Sequence, residues 1–202
     1  MNAGPTAERV YDTLKRAIME RRFRPGDRLD PAMLAEDLNS SATPVREALD
    51  RLVGEDLVES RTGSGFFLPS LDEPALGDMY GWSEELLGLA VRAWSAAPAV
   101  VSSTTALAGA SPAARTAELF SAVAARSANG EHRRAIKRLN ARLSAVRTIE
   151  PLVIEDISRE LDELEACLAA GDPRALRRAS GRFHRRRVRA AAAIVRAVYR
   201  LD

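Results

Sequence analysis

Few residues in this 202-residue chain are of types that could do chemistry. There are two histidines, His132 and His184, and one cysteine, Cys167. A metal knuckle needs several Cys or His at fixed spacing, and nucleophilic catalysis needs a nucleophile, a base and an orienting group. Neither set can be assembled here, and the chain has no Gly-rich phosphate loop and no Gly-x-Ser-x-Gly elbow. An enzyme is therefore not expected. Cys167, between Leu164 and Leu168, reads as a small core residue. His132, in the polar stretch GEHRRA, reads as solvated. The strongest chemical feature is cationic: residues 173–202 hold ten arginines against the single acid Asp202, with Arg182, Arg185, Arg186, Arg187 and Arg189 crowded around His184. Two readings of this run stay open. It is a solvated arginine face, as charge runs usually are, or one or two guanidinium groups turn inward and clamp a carboxylate or phosphate bidentately.

These residues must be held by helices. Aromatic residues make up 5% of the chain and glycines number 12, which argues against a β-rich design. One cysteine fits a reducing compartment. The N-terminus has no apolar h-region, and no apolar run reaches membrane-spanning length, so a cytoplasmic protein with no membrane partner is expected. Val10, Leu14, Ala17 and Ile18 fall at helical spacing within 8–21, and Pro25-Gly26 ends that helix. A second helix starts near Pro31 and buries Leu34, Ala35 and Leu38. In a third, Thr43 serves as N-cap and Pro44 as N1, with Val45, Ala48, Leu49 and Leu52 on one face and Arg46, Glu47, Asp50 and Arg51 on the other. The stretch LVESRTGSGFFLPS reads as two short strands joined at Thr62-Gly63-Ser64-Gly65. Three helices and a hairpin make a winged helix-turn-helix.

Residues 68–74 read as a linker, and the chain beyond them is helical: 76–94, 112–127, 129–146, 151–170 and 173–201. Apolar seams run through Ile136, Leu139, Leu143 and Val146, through Ile154, Ile157, Leu161, Leu164 and Leu168, and through Leu176, Phe183, Ala190, Ile194 and Val198. The small-residue stretch 95–112 reads as a flexible connection or a lid. The fold class is thus mainly α, with a winged helix-turn-helix over 1–70 and an all-helical bundle over 71–202. The first 70 residues carry ten Lys/Arg against twelve Asp/Glu, so any case for nucleic acid there rests on placement, not on bulk charge.

The block 34–67 closely resembles the winged helix-turn-helix of the GntR superfamily of bacterial transcription regulators. The resemblance rests on PGDRL at 25–29, LAEDL at 34–38, TPVREAL at 43–49, Arg51-Leu52, Leu57-Val58 and the wing at Gly65. It implies operator DNA as partner, a homodimer reading a palindrome, and DNA contacts from Ser41, Thr43, Arg46, Arg51, Arg61 and Ser64. Physically, the turn over 39–42 aims the free N–H groups of the third helix outward, where they suit a phosphate. Arg46 stands in place of the groove-reading arginine. The sequence departs from the pattern at Ala42, where the family usually has an arginine, and at Ala32. Those alanines and the acidic front keep open a winged helix that serves as a protein-interaction module.

The helical half resembles the FadR-like effector domain of the same superfamily, through 119–129, 160–172 and 177–184. The resemblance implies an effector-binding and dimerisation bundle. Of its usual metal ligands only His184 is in place. The other positions hold Thr116, Phe120 and Leu161, so no metal and no cofactor are expected. A small carboxylate or other anionic effector would then be held by Arg182, His184 and Arg186, with His184 neutral because the arginines beside it disfavour its protonation.

Overall fold

The computed structural model describes residues 3–94 and 109–200, which divide into two units, Met1–Leu71 and Asp72–Asp202. The first holds α1 (Ala3–Met19), β1 (Arg28–Leu29), α2 (Pro31–Asp37), α3 (Ala42–Gly54), β2 (Glu59–Arg61) and β3 (Gly65–Phe67). The sequence signals explain most of these boundaries. Asp30 caps α2 by accepting from the Ala32 and Met33 amides, and Pro31 takes the position after it. The wing turns at Gly63, whose φ of +73° a Cβ would strain.

Two details differ from expectation. Ser41, not Thr43, is the N-cap residue of α3, so Thr43 and Pro44 lie inside its first turn, where a missing N–H costs nothing. The wing is also three-stranded, in the antiparallel order β1-β3-β2, with Leu29 opposite Phe66 and Ser60 opposite Phe66 on the other side. Two residues of PGDRL form that third strand, too short to show an alternating pattern.

The core of this unit is the seam between α1 and α3. Val10, Tyr11, Leu14 and Ile18 meet Val45, Ala48, Leu49 and Leu52, and all eight are buried. Ala17 and Leu38 are only half-buried. The Tyr11 hydroxyl donates to Glu55, which Lys15 also reaches.

The second unit is helical throughout its described length: α4 (Glu73–Arg92), α5 (Pro112–Ala125), α6 (Gly130–Arg147), α7 (Ile157–Ala169) and α8 (Pro173–Arg200). Polar side chains cap four of its helix starts. Asp72, Ser111, Asn129 and Asp172 each accept from amides one turn ahead, three of them directly before a helix with proline in its first turn. Helix α8 packs along α4 and against α7.

The helix expected over 151–170 is broken. Glu150–Leu152 forms a single 3-10 turn, Asp156 takes a left-handed φ of +53°, and α7 starts only at Ile157. In α8 the core position is Ala191, with Ala190 half-buried, because the buried stripe runs through Leu176, Ala179, Ser180, Phe183, His184, Arg187, Ala191, Ile194 and Val198. Residues 95–108 of the expected lid or connection lie outside the described residues. Among the described residues no helix is long and apolar enough to cross a membrane.

Leu49 has no exposed surface and sits at the centre of the first core. Leu49→Ala is expected to lower stability by about 2–5 kcal/mol, read from urea unfolding followed by circular dichroism.

Candidate nucleic-acid interface and interior polar cluster

Ser41, Thr43 and Arg46 are all exposed at the N-terminal end of α3, on the side away from the buried Val45, Ala48, Leu49 and Leu52. Arg46 forms no ion pair among the described residues. It acts electrostatically on Asp30, whose carboxyl is held below its ordinary range first by the Ala32 and Met33 amides and then by Arg28 and Arg46. This leaves a free guanidinium beside a helix N-terminus, the arrangement that suits a phosphate or a base edge.

Arg51 is differently placed. Five residues on from Arg46, it is rotated by about 140° around α3. It donates to Glu8 at 2.7 Å and lies over the Tyr11 ring, 3.8 Å from its centre. The pair holds Glu8 below and Arg51 above their ordinary pKa values. The structure thus gives Arg51 a role in joining α3 to α1. In the wing, Arg61 pairs with Glu59 at 3.2 Å and covers Phe67, while Ser64 is exposed. Sequence reasoning missed Arg28, exposed on β1 with its Nε 4.0 Å from where a Cβ on Gly65 would lie, at the base of the wing. Its signal was the PGDRL segment itself.

The helical unit does not bring Arg182, His184 and Arg186 together. Residues four apart share a helix face, so Arg182 and Arg186 lie together on the outside, paired with Glu163 and Glu160. His184, between them in sequence, turns inward and has no exposed surface. Its Nδ1–H donates to the Ser180 carbonyl at 2.8 Å, which makes Nε2 the acceptor for the Ser83 hydroxyl at 2.9 Å. Phe120 stacks on the ring at 5.5 Å and Phe183 meets it edge-on at 5.1 Å.

The arginine that does turn inward is Arg187. It is fully buried and donates from Nε to Glu150 at 2.8 Å and from Nη1 to Glu160 at 2.9 Å. Tyr80 donates to the other Glu150 oxygen at 2.8 Å. Burial, with Glu150 adding to it, pushes the Tyr80 hydroxyl well above its ordinary pKa. Arg147 is buried beside this group and donates to Asn140 Oδ1 at 2.8 Å. Burial lowers it to about 10.

Thr116, Phe120 and Leu161 are all buried and supply neither imidazole nor carboxylate. Among the described residues no three of His, Cys, Asp and Glu group as a cation would require. His132 is half-buried rather than solvated, with Nδ1 2.8 Å from the Ser127 hydroxyl. Cys167 is half-buried, and burial raises its thiol pKa, the reverse of an activated nucleophile.

Residues 6–68 match the family model described as "Bacterial regulatory proteins, gntR family". Two curated relatives match part of the chain. The "Nta operon transcriptional regulator" of Aminobacter aminovorans is 43% identical over 58 residues, 29% of this chain and 28% of that protein. The "Uncharacterized HTH-type transcriptional regulator YdhC" of Bacillus subtilis (strain 168) is 32% identical over 70 residues, 35% of this chain and 31% of that protein. The chain thus spans less than a third of the length of the curated relatives it matches. Two solved structures share the fold over nearly the whole length. One, from Rhodococcus sp. RHA1 and described as a GntR transcriptional regulator, has a TM-score of 0.71 at 18% identity and covers 98% of this chain and 100% of its own. The other, E. coli McbR/YncC, has a TM-score of 0.66 at 22% identity and covers 96% and 98%. At those identities the likeness is one of fold.

Burial is the largest cause holding His184 near pKa 3, against an ordinary 6.5, with Arg147 and Arg187 adding to it. Between those values the unfolded chain binds a proton that the native protein does not. The contribution of His184 to stability is therefore full above pH 6.5 and is lost as the pH drops toward 3, with a slope of up to about 1.4 kcal/mol per pH unit. Denaturant titrations across this range should show a flatter decline for His184→Gln than for the parent protein.

Proposed function

With residues 6–68 a gntR-family winged helix-turn-helix, we propose that this chain is a cytoplasmic transcription regulator that binds a palindromic operator as a homodimer. One observation carries the reading: Arg46 stands exposed in the first turns of α3, opposite the buried face of that helix and with no ion pair among the described residues. Ser41 and Thr43 flank it as phosphate contacts, Arg28, Arg61 and Ser64 serve the backbone beside the wing, and Arg46 reads a base edge in the major groove. Arg51 contributes indirectly, by fixing α3 on α1. A single recognition helix spans few base pairs, so two-fold pairing supplies the second half-site one helical turn away or a multiple of it. Residues 1–70 form the DNA-binding domain and 71–202 the dimerisation and effector domain.

We further propose that the helical unit is a FadR-like domain that has exchanged its metal for protein charge. The support is local. Only His184 remains of the expected ligand set, its Nε2 is engaged by Ser83, and two guanidinium groups, Arg147 and Arg187, are buried near it. Its effector is a small organic anion.

Selection of fragments from the source genome by the purified protein tests the regulator reading, and a reproducible palindrome is expected. Retention of all DNA with equal, salt-labile affinity, or of none, would favour a protein-interaction module instead. On the selected operator, Arg46→Ala should lose about 1–3 kcal/mol of binding at unchanged circular dichroism, whereas Ala42→Arg should bind more tightly with a steeper salt dependence.

A further inference from the structure

A cavity of about 400 Å³ opens in the helical unit between α4, α5, α7 and the start of α8. That volume falls within the range of small-molecule sites, about 300–1,000 Å³. Its apolar wall consists of Leu87, Val91, Leu119, Phe120, Val123 and Leu164. Arg174, Arg177 and Arg178 line it from the first two turns of α8.

These three arginines differ from the four that follow them on the helix. Arg182, Arg185, Arg186 and Arg187 each face a glutamate, whereas Arg174, Arg177 and Arg178 make no ion pair among the described residues. The acid beside them, Asp172, is engaged with the Arg174 and Ala175 amides as the cap of α8. Glu84 and Glu85 on the α4 side of the cavity disfavour a second negative group there.

We propose that this cavity binds an organic anion with one charged end, its aryl or alkyl body against the Leu87, Val91 and Phe120 wall and its carboxylate or phosphate on Arg174, Arg177 and Arg178. Guanidinium forks suit either anion. The site is separate from the His184 cluster, since His184, Thr116 and Leu161 do not line it. It shares with that cluster only Phe120, which stacks on His184, and Ser180, whose carbonyl accepts from it. The inference rests on the regulator reading only in calling the ligand an effector. Binding itself is measured without DNA.

The experiment is calorimetric titration of the purified full chain with 4-phenylbutyrate, 4-phenylbutyl phosphate, 4-phenyl-1-butanol and acetate. Saturable binding of the acid or the phosphate is expected, the stronger of the two naming the anion, with the alcohol and acetate at least about tenfold weaker, since each lacks one half of the recognition. Two variants localise it. Replacing Arg174, Arg177 and Arg178 together by Gln removes the charge from exposed positions. Gly88→Leu fills the cavity from α4, where a new Cβ would meet only the Arg92 guanidinium at an ordinary 3.7 Å. Each should weaken binding by about tenfold or more while circular dichroism stays unchanged.

Equal binding of acid and alcohol, no saturable binding by either anion, or undiminished binding in both variants would overturn the proposal. Operator retention, scored on the same samples, separates the two readings. Ligand binding without operator retention refutes the regulator, and retention without ligand binding refutes the cavity site.

Discussion

A guanidinium with no exposed surface must find its counter-charge inside the protein, and the helical unit is laid out around meeting that requirement for Arg187. Its Nε and Nη1 reach two glutamates from different segments, Glu150 and Glu160, while Nη1 also donates to the carbonyl of Phe183 one turn back on α8. Glu150 itself is fully buried, and its second oxygen is satisfied by Tyr80 on α4. The pair thus ties α8, α7, α4 and the 3-10 turn together. Removing one partner from such a pair leaves an uncompensated buried charge, at a cost of about 3–5 kcal/mol. The same requirement gives a physical account of the broken helix at 150–157. Glu150 contributes its carboxylate from a single turn, and the left-handed Asp156 redirects the chain so that Glu160 arrives one turn into α7.

In the winged helix the governing constraint is angular. Helix α3 must bury Val45, Ala48, Leu49 and Leu52 against α1, and this fixes where every other residue of the helix points. Arg46 is sent to solvent and Arg51 toward Glu8 and Tyr11. Two arginines five residues apart therefore differ in kind. One is held by an acid and a ring, and its removal would loosen the domain. The other has no ion pair among the described residues and is available to a partner.

Much of this was legible in the sequence because caps and apolar spacing are local. The proline-capped helix starts and the Val45-to-Leu52 face derive from residue types alone, and the wing derives from its glycines. The third strand did not show, since two residues cannot display a period and β1 is defined by its pairing with β3. The break before α7 did not show either, because its cause is Arg187, distant in sequence from Glu150. The misplaced effector trio is more instructive. Arg182 and Arg186 share a face that His184 cannot share, and the spacing already carried that fact. The arginine that continues the buried stripe is Arg187, four residues after Phe183 and four before Ala191. An arginine in an apolar register reads as solvated because charge runs usually are, and here the apolar period outweighs that tendency.

The partner of each arginine, rather than its exposure alone, separates structural charge from charge free to bind. Exposed ion pairs such as Arg182–Glu163 contribute little to stability, about 0–1 kcal/mol, yet each neutralises a cation that would otherwise attract anions nonspecifically along α8. With Arg182, Arg185, Arg186 and Arg187 paired in this way, the arginines of the first two turns are left to face an apolar cavity. The first unit has the same arrangement. Glu8 takes up Arg51 and Glu59 takes up Arg61, which leaves Arg28 and Arg46 as the open cations around α2 and α3. A front half with more acids than bases can therefore still leave particular cations open, because Glu8 and Glu59 are paired with other arginines.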